Sequence, residues 1–261
     1  MVTMLNSRHI IRVSIDIGNT RTHLGIINAE ESKCLNRIDI SSKDSEKYIL
    51  KYINELYKQS DTPGSSTVIV SSVIRSQLEK VTKQLLQNKM EVKQFCYSEK
   101  LPIKINYENP EMLGTDRIAN ALYGFSRFKG ENLVLISAGT ALTVDLLCGE
   151  QFQGGAILPG PAMQFQSLHK GTDALPEVNE NKTCKLPGNS TEECMRAGVL
   201  FGTGGALNNI VDRYRNIVSG NLRIIATGGA WPLLTDYLDF EYSFFPDMTL
   251  LGISLFADLQ N

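Results

Sequence analysis

Apolar residues fall in short runs along the chain, and the first run is interrupted. In VSIDIGNTRTHLGII (13–27), Val13, Ile15, Ile17 and then Leu24, Ile26 and Ile27 flank Asp16, Gly18, Asn19 and Thr20. Two apolar stretches around a short turn-forming set predict a hairpin-like pair of strands over 11–28, with the turn at 18–22. Tyr48, Ile49, Tyr52, Ile53 and Leu56 then recur at helical spacing within 44–59. TVIVSSV (67–73) reads as a buried strand, 75–89 as a helix and EVKQFCY (91–97) as another strand. Strand, helix and strand in alternation argue for an α/β sheet with a parallel portion.

Residues 98–115 read as a loop broken by Pro102 and Pro110, with a helix beginning near Asp116. The opening pattern then returns. NLVLISAGTALTVDLL (132–147) is again strand, small polar turn, strand. GGAILPGPA (154–162) reads as a loop rich in glycine and proline, followed by a long helix over 191–219. NLRIIATGGA (221–230) predicts a strand running into a glycine turn, and DMTLLGISLFADL (247–259) a closing helix. Two domains follow, 1–125 and 126–261. Each opens on two strands joined by a turn with glycine and threonine, without a sequence repeat of fixed period.

Bulk properties narrow the function classes. The 261 residues suffice for two domains, and 42% hydrophobic with 21% charged residues is ordinary for a globular chain. A net charge of -2 offers no basic surface for nucleic acid. His9, His23 and His169 do not have metal-ligand spacing. The five cysteines are odd in number, with no C-x-x-C, which fits reduced thiols rather than a disulfide framework. The most apolar stretch, 133–148, contains Ser137, Thr140, Thr143 and Asp145 and is too short and polar to span a bilayer. No long apolar signal region opens the chain. The expectation is a cytoplasmic protein with neither a membrane nor a nucleic acid as partner.

The chemistry concentrates in a few segments. In DIGNT (16–20) and SAGTALTVD (137–145), a glycine lets backbone approach a ligand, and adjacent Thr or Asn adds neutral donors. Asp16 before its glycine can hold Mg²⁺, which prefers oxygen ligands. Two such turns could grip nucleotide phosphates; each alone could equally be an ordinary hairpin turn. There is no P-loop signature and no G-x-G-x-x-G after a strand. In YENPEMLGTDRIANALYGF (107–125), Asp116 and Arg117 sit where a helix begins. Asp116 could accept a proton from a bound alcohol, or merely cap the helix. Arg117 could pair with a substrate carboxylate or phosphate.

In this order, the segments resemble the type III pantothenate kinase family. The resemblance is carried by Asp16-Ile17-Gly18-Asn19-Thr20; Gly114-Thr115-Asp116-Arg117; Gly139-Thr140-Ala141 with Thr143 and Asp145; Gly154-Gly155 and Pro159-Gly160; Leu168-His169 with Thr172, Leu175 and Pro176; Gly188, Thr191 and Gly198; and Thr227-Gly228-Gly229. It runs from about residue 13 to 255. It implies an α/β fold of the acetate kinase/hsp70/actin type, with two ribonuclease H-like halves and an active site in the cleft. It also implies transfer of the ATP γ-phosphoryl to the terminal hydroxyl of pantothenate, giving 4'-phosphopantothenate, the first step of coenzyme A biosynthesis. Mg²⁺, a monovalent cation (K⁺ or NH₄⁺) and a homodimer are implied as well. Carried over by position, Asp16, Gly18, Asn19 and Thr20 would form one phosphate site, and Gly139, Thr140 and Ala141 the other. Asp116 would be the general base. Tyr107, Gly114, Thr115, Asp116 and Arg117 would hold pantothenate, with Thr191 reaching substrate from the partner subunit.

Two positions depart from the pattern. The family usually carries Asp immediately before x-Gly-Thr-Ala, where this chain has Ser137, so a metal role there rests on a neutral hydroxyl. Ala230 stands where an acidic residue often follows Thr-Gly-Gly. The first departure keeps a second reading open: a catalytically weakened protein on the same fold that binds nucleotide or pantothenate and regulates. A kinase for another small alcohol is a third, against which the YENP and GTDR segments argue.

Overall fold

The computed structural model describes residues 10–60, 66–178 and 184–260. The chain forms two compact units. One comprises residues up to Pro102, Asn109–Tyr123 and Asp247–Asn261; the other comprises Ile103–Glu108 and Gly124–Pro246. A single cut at 125/126 therefore misses two exchanges. The short piece 103–108 belongs with the second unit, and the C-terminal segment belongs with the first.

The first unit is built on a five-stranded sheet of order β3-β2-β1-β4-β5, with β1 Ile11–Ile17, β2 Arg21–Asn28, β3 Lys33–Ser41, β4 Thr67–Ser72 and β5 Val92–Gln94. The predicted hairpin is present, antiparallel and in register from Ile11↔Asn28 to Ile17↔Thr22. β3 was not anticipated: its residues are mostly exposed or half-buried, as suits an edge strand with a weak apolar signal. Strand alternation sends Val13, Ile15 and Ile17 to one face of β1. There they pack with Ile49, Ile53 and Leu56 of α1 (Ser42–Ser60) and Val81 and Leu85 of α2 (Arg75–Gln87). Each such side chain stabilises the unit by roughly 1.5–3 kcal/mol. Arg12, Ser14 and Asp16 take the opposite face. α6 (Met248–Leu255) packs against β1, and Arg12 donates to the Ser254 carbonyl at 2.8 Å and pairs with Asp258 just beyond the helix. Thr249 Oγ1 donates to Asn120 Oδ1 at 2.8 Å, tying α6 to α3 (Thr115–Arg127). A buried arginine that needs these partners explains why the last segment of the chain joins the first unit.

The second unit has a six-stranded sheet of order β11-β10-β7-β8-β9-β6, formed by β6 Lys104–Ile105, β7 Asn132–Ala138, β8 Ala141–Cys148, β9 Gln151–Pro159, β10 Leu222–Thr227 and β11 Ser243–Phe244. The glycine- and proline-rich stretch expected as a loop is mostly strand. β9 pairs with β8 from Cys148↔Gln151 to Ala141↔Pro159, and only at Gly160 does the chain turn into α4 (Pro161–Lys170). Cross-strand pairing overrides the poor intrinsic preference of its glycines. Val134, Ile136, Val144 and Ile224 form one core with Leu200, Leu207 and Val211 of the long helix α5 (Thr191–Ile217). Among the described residues, no helix is long and apolar enough to cross a membrane.

Candidate active site

In the first unit, Asp16 stands one residue before the end of the central strand β1. It lies in register with His23 on β2 and Ser71 on β4, so all three side chains share one face. Asp16 is 8% exposed. Burial pushes its carboxyl up to about 6, and the neighbouring Asp116 charge pushes the same way. The His23 charge, a hydrogen bond from Ser71 and the Arg37 charge pull it partly back. The turn that follows is held by its own backbone: Gly18 N–H donates to the Arg21 carbonyl at 3.0 Å. Ser42 braces it from the start of α1, with Oγ donating to the Gly18 carbonyl at 2.7 Å and N–H to the Thr20 carbonyl at 3.1 Å. Asn19 and Thr20 are left exposed at the tip.

The Gly114–Arg117 segment reaches the same face. Ser71 Oγ and Thr115 Oγ1 are 2.9 Å apart. Asp116 is in the first turn of α3, and its carboxylate folds back over Gly114, where a Cβ would lie 2.6 Å from Oδ1. The Arg117 N–H donates to the Gly114 carbonyl at 3.0 Å and also bonds to the carboxylate, which favours its ionised form. Desolvation nevertheless dominates, and its pKa is raised despite that bond and the Arg117 charge. A cap alone would have its pKa lowered by the helix N-terminus. Arg117 itself is buried and already has partners. Two desolvated carboxylates, with the Asp116 charge adding to the cost of ionising Asp16, suit a divalent cation with oxygen ligands, which would relieve that cost.

His23 and its surroundings were legible only as a lone histidine. The structure shows a cluster: His23 Nδ1 lies 2.7 Å from Asp39 Oδ1, and Arg37 donates to both Asp39 oxygens at 2.7 and 3.0 Å and to Asp247 at 3.2 Å. Burial alone would raise the Asp39 carboxyl, but the hydrogen bonds from His23 and Arg37 hold it well below the usual range. The signal lay in period-two spacing. Arg37 and Asp39 share a face of β3, and Asp39 is in register with His23, which is in register with Asp16.

In the second unit, Ser137 occupies the place in β7 that Asp16 has in β1, one residue before the last paired position. Gly139 N–H donates to the Ala141 carbonyl at 3.0 Å, closing a turn one residue shorter than that of Gly18 and Arg21. Two glycines close around this turn. A Cβ on Gly160 would run into the Gly139 carbonyl, and one on Gly228, whose φ is +102°, would run into the Ala138 carbonyl. Gly160 N–H and Ala230 N–H donate to the Thr140 and Ala138 carbonyls, each at 3.0 Å. Thr140 and Ala141 remain exposed. Tyr107 is 39% exposed and lies over Gly154 of β9. Thr191 is not brought to the turn. Gln164 ties Thr203 of α5 to the Pro159 carbonyl, and Thr191 lies roughly 18 Å further along that helix. It follows the N-cap Ser190, whose hydroxyl accepts the Glu193 N–H at 3.2 Å.

Each unit thus carries a central strand running into a glycine turn, with the strand order of a ribonuclease H-like domain. The duplicated arrangement is the α/β fold of the actin-like ATPases and sugar kinases, whose kinase members move phosphoryl groups. Solved structures agree in fold. A Baf family protein from Campylobacter jejuni matches with a TM-score of 0.61 at 17% identity, covering 95% of this chain and 98% of that one. The polyphosphate/ATP-glucomannokinase of an Arthrobacter species gives 0.54 at 16% identity, covering 96% and 99%. The type III pantothenate kinase family model matches residues 12–213. The type III pantothenate kinase of Kosmotoga olearia is 30% identical over 252 residues, covering 95% of this chain and 96% of that protein. The chain belongs to the type III pantothenate kinase family, a family of enzymes.

Proposed function

We propose that this enzyme transfers the γ-phosphoryl of ATP to the terminal hydroxyl of pantothenate, forming 4'-phosphopantothenate for coenzyme A synthesis. The observation that carries the reading is the pair Asp16 and Asp116, two desolvated carboxylates with raised pKa on one face of the first unit, in a chain of this family. Asp116 accepts the hydroxyl proton as the hydroxyl attacks the γ-phosphorus. A desolvated carboxylate with a raised pKa is a better base than an ordinary one. Thr115, fixed by Ser71, sets the first turn of α3 so that Asp116 keeps its position. Arg117 and Tyr107 are the pantothenate-binding candidates, with Gly114 allowing close approach. The turn at Gly18, with Asn19 and Thr20, is the phosphate-binding candidate of the first unit, and the turn at Gly139, with Thr140, that of the second. Asp16 would hold Mg²⁺, which supplies charge neutralisation for the transferred group; Mg²⁺ commonly takes one or two protein carboxylates and completes its shell with phosphate and water. We further propose a homodimer, because Thr191 stands far along α5 from the turn of its own chain.

ADP release coupled to pantothenate at millimolar ATP tests this. Turnover is expected in the wild type, with a loss of roughly 10²–10⁴ in kcat for Asp116→Asn and nucleotide binding retained. Wild-type turnover no higher than that of the variant would refute the reading. One observation favours a second reading, a nucleotide-binding regulator without turnover: the hydroxyl of Ser137 where the family usually has a carboxylate. Binding without turnover, with activity gained on Ser137→Asp, would establish it.

A further inference from the structure

Five strands of the second unit repeat the five of the first. Order β3-β2-β1-β4-β5 in the first corresponds to β9-β8-β7-β10-β11 in the second. The rows of side chains beside the two turns can therefore be compared position by position. In the first, Asp16 is flanked in register by His23 and Ser71, with Asp39 beyond His23. In the second, Ser137 is flanked by Thr143 and Thr227, with Ile157 beyond Thr143. The first row is charged and the second is neutral.

The nearest acid on β8 does not make up the difference. Asp145 is 1% exposed, engaged in interactions of its own and covered by Gly155, at which a Cβ would meet its Oδ1. Beside the turn, a monovalent cation would meet the neutral hydroxyls of Ser137 and Thr143. They bring no charge to offset the water a cation must shed, so this donor set suits the monovalent cation implied by the resemblance less well than the usual carboxylate does. An anionic oxygen does fit it. Thr143 is 6% exposed, and its Oγ1 has no hydrogen-bond partner among the described residues. A buried hydroxyl left unpaired is costly, and although Thr143 and Ser137 do not bond to one another in this structure, cross-strand neighbours come within bonding reach by a change of rotamer. Ser137, directly opposite, is half-buried and lies one residue before the end of β7, next to the turn.

We propose that Ser137 donates its hydroxyl directly to a phosphate oxygen of the nucleotide, with Thr143 donating to Ser137 from behind, and that this turn works without a monovalent cation. The proposal rests on the nucleotide reading of the site, and its test separates the two. Binding of MgADP and of a non-hydrolysable ATP analogue is measured by titration calorimetry in potassium, sodium and choline chloride at one ionic strength, without pantothenate. Wild-type Kd is expected to agree within about twofold across the three salts. Ser137→Ala and Thr143→Val are each expected to weaken binding roughly tenfold, the size of one hydrogen bond to a charged group. Thr143→Ser should restore it. Ser137→Asp should bind weakly in choline and recover in potassium. A purely structural Thr143 would leave Kd unchanged in Thr143→Val while altering the melting temperature, and that result overturns the relay. Tighter wild-type binding in potassium, by tenfold or more over choline, overturns the cation-free turn. Nucleotide binding with these properties but no pantothenate phosphorylation would refute only the proposed reaction, and no nucleotide binding in any salt would refute both.

Discussion

Asp16 shows how a single residue can be set against the stability of its own fold. Its ordinary pKa is 3.8, and burial beside Asp116 raises it to about 6. The folded state therefore holds the proton more tightly than the unfolded chain does. Below pH 3.8 the protonated acid is buried without a charge penalty, and the stability associated with it is lost as pH rises from about 4 through about 6. Asp16→Asn is expected to melt higher than the wild type at pH 7.5, by on the order of 2 kcal/mol in unfolding free energy, with the difference vanishing toward pH 4. Melts of both proteins across that range check the sign; a wild type more stable than the variant at pH 7.5 would contradict it. Asp116 makes a kinetic prediction of the same kind. Because desolvation raises its pKa, kcat/KM should rise with pH along an acid limb lying above the ordinary carboxylate range.

At the level of elements, the second turn depends on its neighbours. Gly160 lies where β9 ends and Gly228 where β10 ends, and both press against the carbonyls of 138–140. Gly160→Ala should displace that turn and destabilise the protein by about 2–4 kcal/mol, and Gly228→Ala adds the strain of a positive φ. Denaturant unfolding measures the loss, and nucleotide titration should show weaker binding even where the variant folds. For comparison, Ser190→Ala removes only the N-cap of α5 and should cost about 1 kcal/mol.

At the level of the whole molecule, the chain crosses between its two units more than once. A fragment of residues 1–125 lacks α6, so it leaves the Arg12 face of β1 uncovered and Arg12 without Asp258 and the Ser254 carbonyl. That fragment is expected to aggregate or to lack a cooperative unfolding transition. Joining 247–261 to it through a flexible linker should restore one, as read by circular dichroism melts. A cooperatively folded 1–125 fragment would show that α6 is dispensable to the first unit.

The sequence by itself determined the strand pairs around both glycine turns, the helices at 42–60 and 191–217, the family and the residues of its motifs. Apolar periodicity and a turn signature are local properties, and the motif residues stand in a fixed order along the chain. It did not determine that 154–159 would be strand, because local preference was overruled by pairing with β8. Nor did it show β3, an edge strand with half-exposed residues. The site divided in the same way. Asp16 and Asp116 could be named from their segments, but the push of the Asp116 charge on Asp16 could not, because it requires two residues a hundred positions apart to come together. His23 gained its partners Asp39 and Arg37 only from the register of three strands, and Thr143 became an unpaired hydroxyl only once β8 was buried. Ser137 was conspicuous in the sequence as a missing charge. Tertiary structure decided that its neighbours are neutral too, because a sheet sets chemistry by what it places side by side across strands, which linear order does not record.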